Sequence, residues 1–299
     1  MDELTAKRAL AERYMSELPA ELVNSLRSLF LERGLSPHSQ AVLARALALW
    51  WRHVGVMPEE AEEDHIRLYL SRLAGEGLGD RTAKFYLARV KQVARYRAGG
   101  ETPRAWRAVK VRITKNEERL REEVLSPEDV KALVKAARSV KHKAIIAVLY
   151  EGALRASELC SLRMKDLEFT DYGFRVRVAG KTGVRVIPLL DSAPYIRSWL
   201  QLHPCPGDPD APLFPGRGRE PLGRQALGKI VARAAERAGI GRKVHPHTLR
   251  HTRLTHLATQ MTEQELKVFA GWTQDSGMAA VYVHLSGRDA ERAILKAYG

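Results

Sequence analysis

One stretch of this chain departs from the rhythm of the rest. Elsewhere, apolar residues recur mostly at three- and four-residue intervals, the period of helices that bury one face. In Phe-Arg-Val-Arg-Val-Ala-Gly-Lys-Thr-Gly-Val-Arg-Val-Ile-Pro-Leu, residues 174–189, Val, Ile and Phe alternate instead, on both sides of Gly-Lys-Thr-Gly. Alternation places successive side chains on opposite faces of a strand, and a glycine-flanked pair is turn chemistry. The chain is therefore expected to be mainly α with a small β-hairpin or sheet, set inside an otherwise helical domain.

The 299 residues, 45% of them hydrophobic, suffice for two domains with cores of their own. The first, residues 1–101, reads as helices with short breaks. Ser36 and Pro37 open one helix as cap and first residue, and Gly75, Gly77 and Gly79 separate two later ones. Residues 102–125 have little amphipathic pattern and carry Arg104, Arg107, Lys110, Arg112 and Lys115 in a run that meets no acid before Glu117. They read as a basic interdomain linker, either simply solvated or lying along a phosphate backbone. Ser126-Pro-Glu-Asp129 is a fresh helix start and opens the second domain, residues 126–299. Helices are expected there over about 126–139, 141–165, 190–202, 222–239, 247–258, 262–270 and 287–297.

A net charge of +14 exceeds what solubility requires and points to a polyanionic partner, nucleic acid or an anionic surface. No run approaches the roughly 18 to 20 apolar residues of a membrane span, and the charged start does not read as a secretory signal. A cytoplasmic location without membrane association is the expectation. Cys160 and Cys205, the two cysteines, lack the spacing of a metal knuckle and are read as reduced thiols.

Several positions carry chemistry. In His245-Pro-His-Thr-Leu-Arg-His-Thr252, His247 and His251 are four apart, as in a helical zinc site, but the glutamate of such motifs is missing. His247 and Arg250 also share a face, in a first turn whose free N–H groups favour anions. Metal site, phosphate contact and mixed polar surface all remain open on this segment alone. Arg155 sits in an apolar stretch, Tyr-Glu-Gly-Ala-Leu-Arg-Ala-Ser-Glu, with Glu158 three residues on. A guanidinium there is costly unless it is paired or bound to an anion. Lys181 occupies the hairpin turn, Trp272 follows Gly271, and Tyr282 lies ten residues further.

Taken in order, Arg155, Lys181, His247 with Arg250, Trp272 and Tyr282 resemble the motif set of the tyrosine recombinase, or phage-type integrase, family. The resemblance covers 126–299 by motif, and the helical first domain fits the family's core-binding domain by size and position. Trp272 stands where many members have histidine; an indole N–H can still donate to a phosphate oxygen. The interval from Trp272 to Tyr282 is about one residue longer than is common, and the ending Tyr-Val-His-Leu-Ser-Gly-Arg-Asp is most similar to archaeal and archaeal-virus members.

The resemblance implies a site-specific recombinase that cuts and rejoins DNA through a covalent 3′-phosphotyrosine on Tyr282. In that scheme Arg155 and Arg250 clamp the phosphate, where arginine's planar fork suits two oxygens. His247 serves as base or further phosphate donor, Lys181 protonates the leaving 5′-oxygen, and Glu158 orients the site. No metal, cofactor or ATP is required. The implied partner is double-stranded DNA with a specific site, bound by a protein that is monomeric in solution and tetrameric on two DNA sites. The alternatives are a type IB topoisomerase with similar chemistry and a catalytically silent DNA-binding protein.

Overall fold

The computed structural model describes residues 3–109, 123–180 and 183–285. It divides into two compact units, Met1–Lys115 and Asn116–Gly299.

The first unit contains α1 (Glu3–Met15), α2 (Ala20–Glu32), α3 (Pro37–Val54), α4 (Glu63–Gly75), α5 (Asp80–Arg97) and the short α6 (Arg104–Ala108). Helix α3 begins and ends on its expected signals. Ser36 Oγ accepts the Ser39 N–H at 3.3 Å, Pro37 is the first helical residue, and Gly55 takes the left-handed conformation that stops the helix. The buried stripes Leu22/Leu26/Leu29, Leu43/Leu47/Trp50, Ile66/Tyr69/Leu73 and Val90/Val93 form the core.

Helix α6 lies within the stretch read from sequence as linker. Trp106 is buried, tilts against Trp50 with ring centroids 5.2 Å apart, and donates its indole N–H to Pro58 O at 2.7 Å. Lys91 Nζ donates to Trp106 O at 2.6 Å. A single tryptophan among arginines shows no periodicity, so this helical turn has no pattern signal in the sequence.

The second unit begins with α7 (Pro127–Ala136) and α8 (Val140–Glu151). Ser126 and Asp129 form the expected reciprocal cap on α7. The helix expected over 141–165 is interrupted. The chain turns through Gly152, Ala153 at φ +43° and Leu154 before α9 (Ala156–Ser161). Gly152 has little room for a side chain, since a Cβ would stand 3.1 Å from both Leu154 Cγ and Val148 O.

The hairpin is joined by a strand that the alternation did not announce. Strands β1 (Leu167–Thr170), β2 (Gly173–Gly180) and β3 (Gly183–Leu189) form an antiparallel sheet in that order, with Val176 opposite Ile187 and Val178 opposite Arg185. Four residues of β1 are too few to establish a period of two. Phe174, Val176, Val178, Ile187 and Leu189 face the core shared with α7 and α8.

Helices α10 (Ala193–Leu200), α11 (Arg224–Arg237), α12 (Pro246–Leu257) and α13 (Glu263–Ala270) follow within or near their expected ranges. A further helix, α14 (Met278–Leu285), carries Tyr282, and the helix expected over 287–297 falls outside the described residues. A second apolar cluster unites Ala153, Leu254, Leu257, Ala258, Leu266, Ala270, Ala279 and Tyr282. None of the described helices is long and apolar enough to cross a membrane.

Candidate functional site

The break after α8 creates the site. Because the helix stops at Gly152, Arg155 becomes the residue that caps α9, and the first turn of α9 brings Glu158 back beneath it. Glu158 accepts the Arg155 backbone N–H at 2.8 Å on Oε2 and Arg155 Nη1 at 2.7 Å on Oε1. Arg155 Nη2 donates to Gly271 O at 3.3 Å, and the side chain keeps 38% of its surface open. A guanidinium held on one edge and open on another is suited to an anion.

Arg250 comes from α12 and is 3% exposed. Its Nη1 donates to Ala153 O at 2.6 Å and its Nη2 to Ala270 O at 2.7 Å, while Glu158 Oε2 lies 3.9 Å away. Both carbonyls belong to chain turns, the break before α9 and the end of α13, so one arginine ties together two segments 117 residues apart. Burial, and then Arg155, lower its pKa to about 10, leaving it charged at neutral pH.

Gly271 ends α13 at φ +62°, and Trp272 turns back with its N–H on Lys267 O at 2.9 Å. The indole lies 5.8 Å from the Arg250 guanidinium carbon and stacks on Tyr282 at 5.4 Å and 23°. His251 also packs on the phenol, tilted, with ring centroids 5.0 Å apart. Tyr282 is 3% exposed; burial raises its pKa and Arg250 acts in the opposite direction.

His247 lies in the first turn of α12, one residue after Pro246, as its spacing predicts. It stands at the surface, yet its pKa is lowered, first by loss of water around the ring and then by Arg250 and His251. His245 is the helix cap, its backbone N–H on Thr248 Oγ1 at 3.2 Å. Among the described residues no group of three His, Cys, Asp or Glu is placed to hold a metal ion, so the paired histidines lack a donor set.

Five of the expected positions thus converge: Arg155, Arg250, Trp272 and Tyr282, with His247 close enough to Arg250 and Arg155 to feel their charge. Arg104 and Arg107 are exposed on α6 of the first unit. Lys181, Lys110, Arg112 and Lys115 fall outside the described residues.

Residues 123–288 match the model described as the phage integrase family. The chain belongs to that family. Its match takes in Arg155, Glu158, His247, Arg250, Trp272 and Tyr282, and leaves out the first unit. Among curated proteins, the chain is 26% identical over 253 residues to a tyrosine recombinase XerC of Thermodesulfovibrio yellowstonii, covering 79% of this chain and 82% of the relative. It is also 26% identical over 276 residues to a XerD of Pseudomonas putida, covering 87% and 91%. Among solved structures, a Tn1549 transposon integrase in complex with transposon right-end DNA superposes with a TM-score of 0.71, at 18% identity, over 91% of this chain and 98% of that one. At that identity the likeness concerns the fold.

One residue of this integrase-family cluster escaped the sequence reading. Arg185, on β3, places Nη1 3.1 Å from Glu158 Oε1 and Nη2 2.9 Å from Glu158 Oε2. Its signal is parity: Arg185 shares a strand face with Ile187 and Leu189, both buried. Val184 and Val186, which look like the apolar set, face outward instead, 64% and 57% exposed. Burial alone would raise the Glu158 pKa, but the bonds from Arg185 and Arg155 outweigh it and hold the carboxyl below its ordinary value.

Proposed function

We propose that the protein is a site-specific DNA recombinase that cleaves and rejoins strands through a covalent 3′-phosphotyrosyl intermediate on Tyr282. The observation that carries the reading is the meeting of Arg155 and Arg250 at one buried carboxylate, with Trp272 beside Arg250 and Tyr282 stacked on Trp272. A scissile phosphate repels nucleophiles because it is anionic, and its pentacoordinate transition state gathers more charge. Arg155 and Arg250 neutralise that charge, and Trp272 Nε1 donates to a phosphate oxygen. The Tyr282 hydroxyl attacks phosphorus, the 5′-oxygen departs with a proton from Lys181, and His247 takes the phenol proton or adds a phosphate contact. The lowered pKa of His247 favours a neutral, proton-accepting imidazole at pH 7. The resulting phosphotyrosine preserves the ester, so a DNA hydroxyl reseals it without ATP or metal.

In this reading the first unit, with Trp106 in its core, is the core-binding domain and residues 126–299 the catalytic domain, joined by the basic segment that follows α6. Arg104, Arg107, Lys110, Arg112 and Lys115 contact the phosphate backbone. The protein acts in the cytoplasm, as a monomer that forms a tetramer on two DNA sites, on behalf of a mobile element of archaeal or viral type.

Incubation with nicked suicide duplexes bearing candidate sites, followed by denaturing electrophoresis, tests the chemistry. A covalent protein–DNA adduct is expected, lost in Tyr282→Phe and reduced at least about a hundredfold in Arg155→Ala. An adduct that survives Tyr282→Phe would remove Tyr282 as nucleophile, and no adduct with any site would leave a DNA-binding protein without the chemistry. Recombinant joints, as opposed to relaxed circles, distinguish a recombinase from a topoisomerase.

A further inference from the structure

Arg185 has no part in the chemistry above, yet it is held at considerable cost. Its side chain is 9% exposed, on the inward parity of β3, where an aliphatic side chain would be cheaper. Its Nε is buried without a hydrogen-bond partner among the described residues. Room for it depends on Gly271, where a Cβ would lie 2.7 Å from Arg185 Nη1. Three separate pieces of the unit, β3, the first turn of α9 and the end of α13, meet at this one guanidinium.

The charges around it supply a reason. Glu158 aims Arg155, but a carboxylate 2.7 Å from a guanidinium also cancels the charge of the group it holds. Arg250, 3.9 Å from the same carboxylate, loses some of its field too. Arg155 and Glu158 alone sum to zero; with Arg185 and Arg250 the four groups carry three positive charges against one negative, a surplus of two. Arg185 grips both oxygens of Glu158 through its two Nη atoms, whereas Arg155 reaches only one oxygen with its side chain. The fork geometry therefore assigns Glu158's charge mainly to Arg185.

We infer that Arg185 is a positioning residue that neutralises Glu158, so that Glu158 orients Arg155 without cancelling the charge Arg155 and Arg250 present to a phosphate. The inference rests on reading the cluster as a phosphate site.

The test is the affinity of the intact chain for inorganic phosphate, by titration calorimetry at low salt and neutral pH, with circular dichroism confirming the fold of each variant. R185M is expected to weaken phosphate binding about tenfold. R185M combined with E158Q, which removes the anion together with its counter-charge, recovers most of that loss. R185K, which keeps the charge but loses the two-pronged grip, falls between the native protein and R185Q, and R185Q behaves like R185M, a second comparison that does not need the methionine variant to fold. A purely structural anchor gives a different pattern, with the double variant as weak as R185M and lysine no better than glutamine; that pattern overturns the inference. Equal phosphate affinity in the native protein and R185M, or none in the native protein, overturns it as well. A native protein that forms no covalent adduct with DNA would instead overturn the recombinase reading, and the ranking of phosphate affinities would still decide the role of Arg185.

Discussion

At the scale of single residues, the site is organised by donors whose acceptors are backbone atoms as well as side chains. Arg250 shows what this means for stability. Replacing it with methionine leaves the carbonyls of Ala153 and Ala270 buried without their donor and removes a cation 3.9 Å from Glu158. Urea unfolding of Arg250→Met is expected to show a loss of about 3 kcal/mol. Arg250→Lys should lose less, because an ammonium can satisfy one of the two carbonyls. Arg250 was legible in the sequence because the spacing from His247 survives in any helix. Arg185 was not, because reading its parity requires knowing which face of β3 is buried, and Val184 and Val186 make the wrong face look apolar. The carbonyls of Ala153 and Ala270 carry no side-chain signal at all.

At the scale of elements, the break between α8 and α9 governs the site. Had the chain continued as the single helix its periodicity suggested, Arg155 would lie on a regular surface, and Ala153 O would be committed to the helix ladder instead of facing Arg250. The break depends on Ala153 at φ +43°, a conformation that costs a residue with a Cβ about 1 kcal/mol. Ala153→Gly relieves that strain while loosening the unfolded chain. It also removes a fully buried methyl from the apolar cluster around Leu254 and Leu266, so the net expectation is a small loss, about 0.5 kcal/mol, read as a lower urea midpoint with an unchanged slope. Caps such as Ser36, Ser126 and Asp129 were legible because the stabilising contact is made within a turn of the chain. β1 and α6 were not, since four or five residues are shorter than the period that would reveal them.

At the scale of the whole molecule, the two units and the excess of positive charge set how the protein responds to its solution. His142 and His256 have pKa values lowered by burial and His247 by loss of water around its ring, each reinforced by neighbouring arginine or lysine: Lys141 and Arg237 for His142, Arg250 for His247, Arg253 for His256. A histidine whose folded pKa is depressed binds its proton more readily when unfolded. Its stabilising effect is complete above the unfolded value of about 6.5 and declines as pH falls through the depressed folded value. Unfolding free energies should therefore be level from pH 7 to 8 and fall between pH 6.5 and 5. Urea titrations across that range check the slope, and a flat profile would contradict the lowered values. The division into two units was legible from Ser126-Pro-Glu-Asp129 and the break in periodicity before it, although the chain leaves the first core later than composition suggests.

That late departure alters the character of the basic segment. With Trp106 locked against Trp50 and Pro58, Arg104 and Arg107 do not belong to a loose strap. They are three positions apart on one helical turn, separated by about 4.5 Å along its axis. Folding of the first unit has already fixed the backbone on which these two charges stand, so a polyanion meeting them encounters a preorganised pair. The ordering cost that a floppy tether would impose at the moment of binding is, for these two positions, met when the domain folds.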